Sequence, residues 1–72
     1  MSVFSTRVRE LRTLKNVTQK QAASGAGVSE RTYQNYELGT MDANLTNAGK
    51  LADYFNVSID YLVGRTDNPK IR

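Results

Sequence analysis

Between Thr18 and Gly39 the chain reads TQKQAASGAGVSERTYQNYELG, and the order of helix starts and stops in it leaves few folds open. Thr18 can cap a helix, and Gln21, three residues on, can return a hydrogen bond to the cap backbone. Ser29 before Glu30 repeats the start signal. Gly27 stands where the first of these helices has to end, since a left-handed residue just past a helix is cheap for glycine. Val28 behind it is the apolar residue that pins the turn to a core. The spacing predicts helices over Gln19 to about Gly25 and over Glu30 to Leu38, closed by Gly39, in a helix-turn-helix layout.

The flanks continue in helical period. Phe4, Val8 and Leu11 recur with Arg7, Arg9 and Glu10 between them, which predicts a helix from about Ser5 to Lys15 stopped by Asn16. Thr40 to Ala43 is a connector. A fourth helix is expected from Leu45 to Phe55, capped by Asn44, ended by Asn56, and carrying Leu45, Ala48, Leu51, Ala52 and Phe55 on one apolar stripe. Ser58 caps a fifth, with Asp60 in its first turn near the positive end of the helix dipole and Leu62 on the apolar face, and Gly64 ends the ordered part. With no strand signal and no internal repeat, the expected fold is a compact all-α five-helix domain over residues 1–66. The stretch 67–72, which includes Pro69, is expected to be a flexible polar tail or the start of a linker.

Seventy-two residues make one domain, of a size that buries only about 60% of the unfolded chain's surface. The chain has neither cysteine nor histidine, so disulfides, thiolate metal sites and the commonest general base are excluded. No metal, no cofactor and no enzymatic activity are expected; carboxylates such as Asp53 and Asp60 stand without a nucleophile and base pair. No stretch approaches the ~20 apolar residues that span a bilayer, and a cytoplasmic protein is expected. The formal charge of +3 suits an anionic partner, but its distribution is uneven. Arg7, Arg9, Arg12 and Lys15 against Glu10 make the first 17 residues basic, as do Arg65, Lys70 and Arg72 against Asp67 at the other end. Residues 18–43, with Lys20 and Arg31 against Glu30, Glu37 and Asp42, are slightly acidic, so nonspecific affinity for a polyanion such as DNA should be modest.

FSTRVRELRTLKNVTQ before the motif, the motif itself, and LADYFNVSIDYLVGRTD after it together resemble the lambda-repressor-like or Cro-like helix-turn-helix proteins, the XRE family. The resemblance covers nearly the whole chain in the right order and spacing, including the VSIDYLVGR ending of phage-type repressors. It implies a sequence-specific transcriptional regulator that lays its third helix in the major groove of double-stranded DNA.

On a helical wheel, Tyr33, Tyr36 and Glu37 share a side with Val28, while Glu30, Arg31, Gln34, Asn35 and Leu38 share the other. The second side is almost wholly polar. Taken alone it also describes an ordinary solvated helix face; joined to the turn and the resemblance, it is read as base-contacting. Arg31 suits guanine with a forked pair of bonds, Gln34 or Asn35 suits adenine, and Glu30 either accepts from a cytosine amino group or serves the helix dipole. Each good pair discriminates by roughly 1 to 3 kcal/mol.

The resemblance also assigns Gln19 to a DNA phosphate, next to the open N–H groups of its helix N-terminus. Lys20, Thr32, Thr40 and Asn44 are lesser candidates for backbone contact. The connector GTMDAN places Asp42 where the family often has basic residues, which moves the electrostatic role toward Arg9, Lys15, Lys20 and Arg31. Arg12 and Glu37 occupy positions that in several family members form a partly buried ion pair; the alternative is a weak surface pair. Tyr33 replaces a small or branched apolar residue, and is expected to pack in the core with its hydroxyl at the edge. Gly25 and Gly49 depart too and suggest a softer domain; at Gly49 either a helix approaches closely or the core is underfilled.

Ile59, Tyr61 and Val63 offer apolar surface where family members dimerise. A two-fold homodimer would set two recognition helices about 34 Å apart and require a palindromic operator. Alternatively these residues complete the monomer core. The leading expectation is a repressor of phage, prophage or mobile-element type; the other is a protein-binding module, antitoxin-like or bound by an antirepressor.

Overall fold

The computed structural model describes residues 2–70, and each of its five helices starts on a side-chain cap. Helix α1 spans Val3–Lys15, α2 Gln19–Ala26, α3 Glu30–Leu38, α4 Leu45–Phe55 and α5 Ile59–Leu62. Among the described residues there is no strand, and no helix is long and apolar enough to cross a membrane. At the start of α2 the Thr18 hydroxyl accepts from the Gln21 N–H and the Gln21 side chain accepts from the Thr18 N–H, a complete capping box. Ser29, Asn44 and Ser58 each accept an N–H three residues on at the starts of α3, α4 and α5. Gly27 and Gly39, both at φ 80°, end α2 and α3 in the left-handed conformation. Asn16 and Asn56, both at φ 59°, do the same for α1 and α4 with the side chain that best tolerates it.

Three details differ from the sequence reading. Helix α1 begins two residues early, because Ser2 caps it by accepting the Ser5 N–H at 3.1 Å. Leu45, expected on the apolar stripe of α4, is 78% exposed: it is the first residue of the helix, before the stripe reaches the core at Ala48, Leu51 and Ala52. The Tyr33 hydroxyl does not reach the edge, since the whole residue is buried.

The core joins Phe4 and Val8 of α1, Ala22, Ala23 and Ala26 of α2, Tyr33 and Tyr36 of α3, Leu51 and Ala52 of α4, then Val57 and Leu62. Small residues on α2 let it lie close to α3 and α4. Phe4 and Tyr36 meet edge to face with ring centroids 5.5 Å apart. After α5 the chain turns back: Arg7 donates to the carbonyls of Tyr61 at 2.6 Å and Thr66 at 2.7 Å and to the Asp67 carboxylate at 2.7 Å. The Pro69 carbonyl accepts from the Ser58 N–H at 3.0 Å. The polar stretch 67–72 is thus tied back through its described part, and residues 71–72, like Met1 at the start of the expected 1–66 domain, lie outside the described residues.

The two helix-interior glycines have opposite surroundings. A Cβ on Gly25 would fall among the ring carbons of Tyr54, with Cδ1 2.8 Å away, so the Tyr54 ring of α4 lies against the α2 backbone where glycine leaves room for it. A Cβ on Gly49 would meet only Ile59 Cδ1, at an ordinary 3.9 Å. Gly49→Ala therefore stabilises the fold by about 0.5 to 1 kcal/mol through helix propensity, while Gly25→Ala destabilises it by about 1 to 3 kcal/mol through overpacking. Urea unfolding midpoints of the two variants should move in opposite directions.

Candidate nucleic-acid interface

One face of α3 is fixed by burial. Tyr33, Tyr36 and Glu37 point inward, and Glu37 is only 4% exposed, so its charge needs partners where it stands. Arg12 of α1 supplies them as a fork: Nε donates to Oε2 at 2.6 Å and Nη2 to Oε1 at 3.1 Å. The same guanidinium donates through Nη1 to the Val17 carbonyl at 3.1 Å, which holds the approach to α2. From α2, Gln19 Nε2 donates to Glu37 Oε1 at 3.0 Å. One carboxylate thus ties three helices together. On α4, Asn47 Nδ2 donates to the Tyr36 hydroxyl at 2.8 Å.

These contacts set the proton affinities. Burial by itself raises the Glu37 pKa, but the Arg12 hydrogen bond, the neighbouring Tyr33 and Gln19, and the Arg12 charge outweigh it, and the pKa lies below the usual carboxylate value. Burial, followed by the adjacent Glu37 carboxylate, pushes the Tyr33 pKa well up. That hydroxyl lies in the ion pair's neighbourhood, yet has no partner at hydrogen-bond geometry among the described residues.

The opposite face of α3 is open. Glu30 and Arg31 are exposed, and Gln34 and Asn35 are half-buried. Gln34 Nε2 lies 3.4 Å from Glu30 Oε2, a long hydrogen bond across one turn, while Glu30 itself sits in the first turn of α3, where a carboxylate suits the dipole. Asn35 Oδ1 accepts from the Thr40 hydroxyl at 3.1 Å, which couples the connector to the helix. Thr32 is partly occupied in the N-terminal turn, accepting from the Ser29 hydroxyl at 2.9 Å. Lys20 is exposed on α2. Asn44 uses its side-chain oxygen to cap α4, accepting from the Asn47 N–H at 2.8 Å, which leaves its amide N–H groups for another partner. Gln19 likewise keeps one of its two amide hydrogens beyond the bond to Glu37.

Of the residues named for dimerisation, Val63 is 44% exposed, while Ile59 and Tyr61 pack partly on the core. The Arg7 guanidinium covers the Tyr61 ring at 4.1 Å from its centroid. Sequence reasoning missed this Arg7 clamp, the Gln19–Glu37 bond and the Asn47–Tyr36 bond. Each joins segments far apart in the chain, and none leaves a local signal of cap or period.

A family model described as helix-turn-helix matches residues 8–62, most of the chain. The chain belongs to the helix-turn-helix family. The helix-turn-helix domain is similar to the cryptic phage CTXphi transcriptional repressor RstR of Vibrio cholerae, 37% identical over 65 residues that cover 90% of this chain and 59% of the relative. Similarity extends to the HTH-type transcriptional regulator ImmR of Bacillus subtilis, 34% identical over 64 residues, 89% of this chain and 50% of the relative. It extends also to the SPbeta prophage-derived HTH-type transcriptional regulator YonR of the same organism, 31% identical over 64 residues, 89% of this chain and 59% of the relative. The chain therefore spans between half and three-fifths of the length of these relatives.

In this helix-turn-helix domain, Glu37→Gln strips a buried pair and costs about 3 kcal/mol at neutral pH, the low end of the range because Arg12 keeps some access to water. A carboxyl with a depressed folded pKa contributes stability above its unfolded value, and the contribution is lost as pH falls through the folded pKa. The stability gap between wild type and Glu37→Gln should accordingly hold at neutral pH and narrow as pH drops below the ordinary value of 4.5. Urea unfolding of both proteins across an acid pH series checks it.

Proposed function

We propose that the chain is the DNA-reading part of a transcriptional repressor of phage or prophage type, acting by occupying an operator. The observation that carries this reading is the two-sided third helix: one side held by the Arg12–Glu37 pair, the other presenting Arg31, Gln34 and Asn35 outward as hydrogen-bonding groups. The relatives named as repressors and prophage-derived regulators support the class. In this reading Arg31, Gln34, Asn35 and Glu30 meet base edges, and Gln19, Lys20, Thr32, Thr40 and Asn44 meet the sugar-phosphate backbone. The domain works over residues 1–66, in the cytoplasm, as a binder without catalytic chemistry. Pairing of two copies through α5, with Val63 as its open apolar residue, would make the operator palindromic.

A second reading has its own observation. Leu38 is 67% and Leu45 78% exposed, at the end of α3 and the start of α4 on either side of the connector that carries Asp42. Apolar surface beside an acidic connector favours a protein partner over phosphates.

Selection of bound sequences from a random duplex pool separates the two. The DNA reading predicts an enriched palindrome with half-sites about one turn apart, and a log–log salt slope of roughly 0.9 per phosphate contact. Arg31→Ala with Gln34→Ala should abolish preference for the enriched sequence without altering the folded circular dichroism spectrum. No enrichment at low salt from a folded protein would reject it in favour of a protein partner.

A further inference from the structure

The Glu37 carboxylate accepts three hydrogen bonds, two from Arg12 and one from Gln19. An ionised carboxylate has about four acceptor sites, so one remains open. Of its donors, Arg12 is bound in a fork, while Gln19 is a single amide at the first position of α2, half-exposed at the helix end assigned above to a DNA phosphate. If the Gln19 amide rotates to a phosphate instead of reaching it with its second N–H, the buried carboxylate loses a donor, and that loss opposes binding.

One turn before Glu37 on α3 is Tyr33, fully buried, with its hydroxyl in the neighbourhood of Glu37 and Arg12 and without a partner at hydrogen-bond geometry among the described residues. An orphaned buried hydroxyl is uncommon because it is costly, and phenylalanine would fill the same space without the penalty. Its presence is accounted for if the hydroxyl has a partner in a second state of the molecule.

We propose that Tyr33 is a positioning residue for DNA engagement, whose hydroxyl takes the place of the Gln19 amide on the Glu37 carboxylate when Gln19 turns to a phosphate. The inference rests on the DNA reading above. The exchange keeps three hydrogen bonds on the carboxylate while α2 engages the backbone, so that the angle of α3 is the same in free and bound protein.

The test is a double-mutant cycle of Tyr33→Phe and Gln19→Ala, with affinity for the selected duplex and urea stability of the free protein measured for all four proteins. Tyr33→Phe should weaken duplex binding roughly tenfold, while the unfolding midpoint stays level or rises. In the Gln19→Ala background the same substitution should change affinity by less than about twofold, because no exchange remains to be completed. A merely structural tyrosine gives a different pattern, with stability falling and the binding loss equal in both backgrounds; that result overturns the proposal. So does unchanged affinity of Tyr33→Phe. If the folded wild-type protein binds no duplex at any salt, the DNA reading itself fails and the exchange fails with it; duplex binding that is indifferent to Tyr33 refutes the exchange alone.

Discussion

A carboxylate 4% exposed in a chain of 72 residues must be neutralised where it stands, and the rest of the domain is arranged around how Glu37 is neutralised. Its partner Arg12 comes from α1, twenty-five positions earlier, and its third donor Gln19 from α2. Because the guanidinium fork fits the carboxylate in one orientation, the pair constrains rotation of α3 as well as its distance from α1. Tyr33 and Tyr36, on the same side, fill the core beneath the pair. The outward face of α3 then follows from the inward one: with Tyr33, Tyr36 and Glu37 committed, helical geometry leaves Glu30, Arg31, Gln34 and Asn35 facing out.

Charge is handled in a way that sharpens this. The basic residues of α1 are engaged within the fold as much as outside it: Arg7 clamps the C-terminal stretch, Arg12 holds Glu37, and the Lys15 ammonium lies 5.1 Å from the Tyr54 ring centroid. On α4, Lys50 reaches the Gly27 carbonyl at 3.4 Å, against the turn of the motif. Lys20 and Arg31 are the exposed cations of α2 and α3 themselves. A domain charged in this way gains little from nonspecific attraction to phosphates, so under the proposed reading discrimination between sequences would rest on directed hydrogen bonds from α3.

Much of the fold was legible because its boundaries are local chemistry. Thr18 with Gln21, Ser29, Asn44 and Ser58 mark helix starts, and Asn16, Gly27, Gly39 and Asn56 mark ends, each acting within four residues of itself. The Arg12–Glu37 pair was legible only through family resemblance, since nothing in the spacing of positions 12 and 37 announces contact. Leu45 fits the apolar period of α4 yet stands exposed, because it is the first residue of the helix, before the helix reaches the core. A tyrosine hydroxyl ordinarily sits at the rim of a core, where it finds water, and nothing local to Tyr33 signals that the fold encloses it beside an ion pair. Gly25 and Gly49 look alike in the sequence and differ in what packs over them, Tyr54 on one and little on the other. Such facts belong to tertiary packing, which one chain read in order does not reveal.

The face of α3 left open by the Glu37 junction is the face proposed to meet DNA. Titrating an isotope-labelled domain with its selected duplex and following each amide and side-chain NH2 signal by NMR tests this directly. The largest shifts are expected at Arg31, Gln34 and Asn35 and at the Gln19 side chain, with Phe4 and Leu51 in the core unmoved. Shifts concentrated instead at Leu38 and Leu45, or on α5, with Arg31 and Gln34 silent, would contradict it.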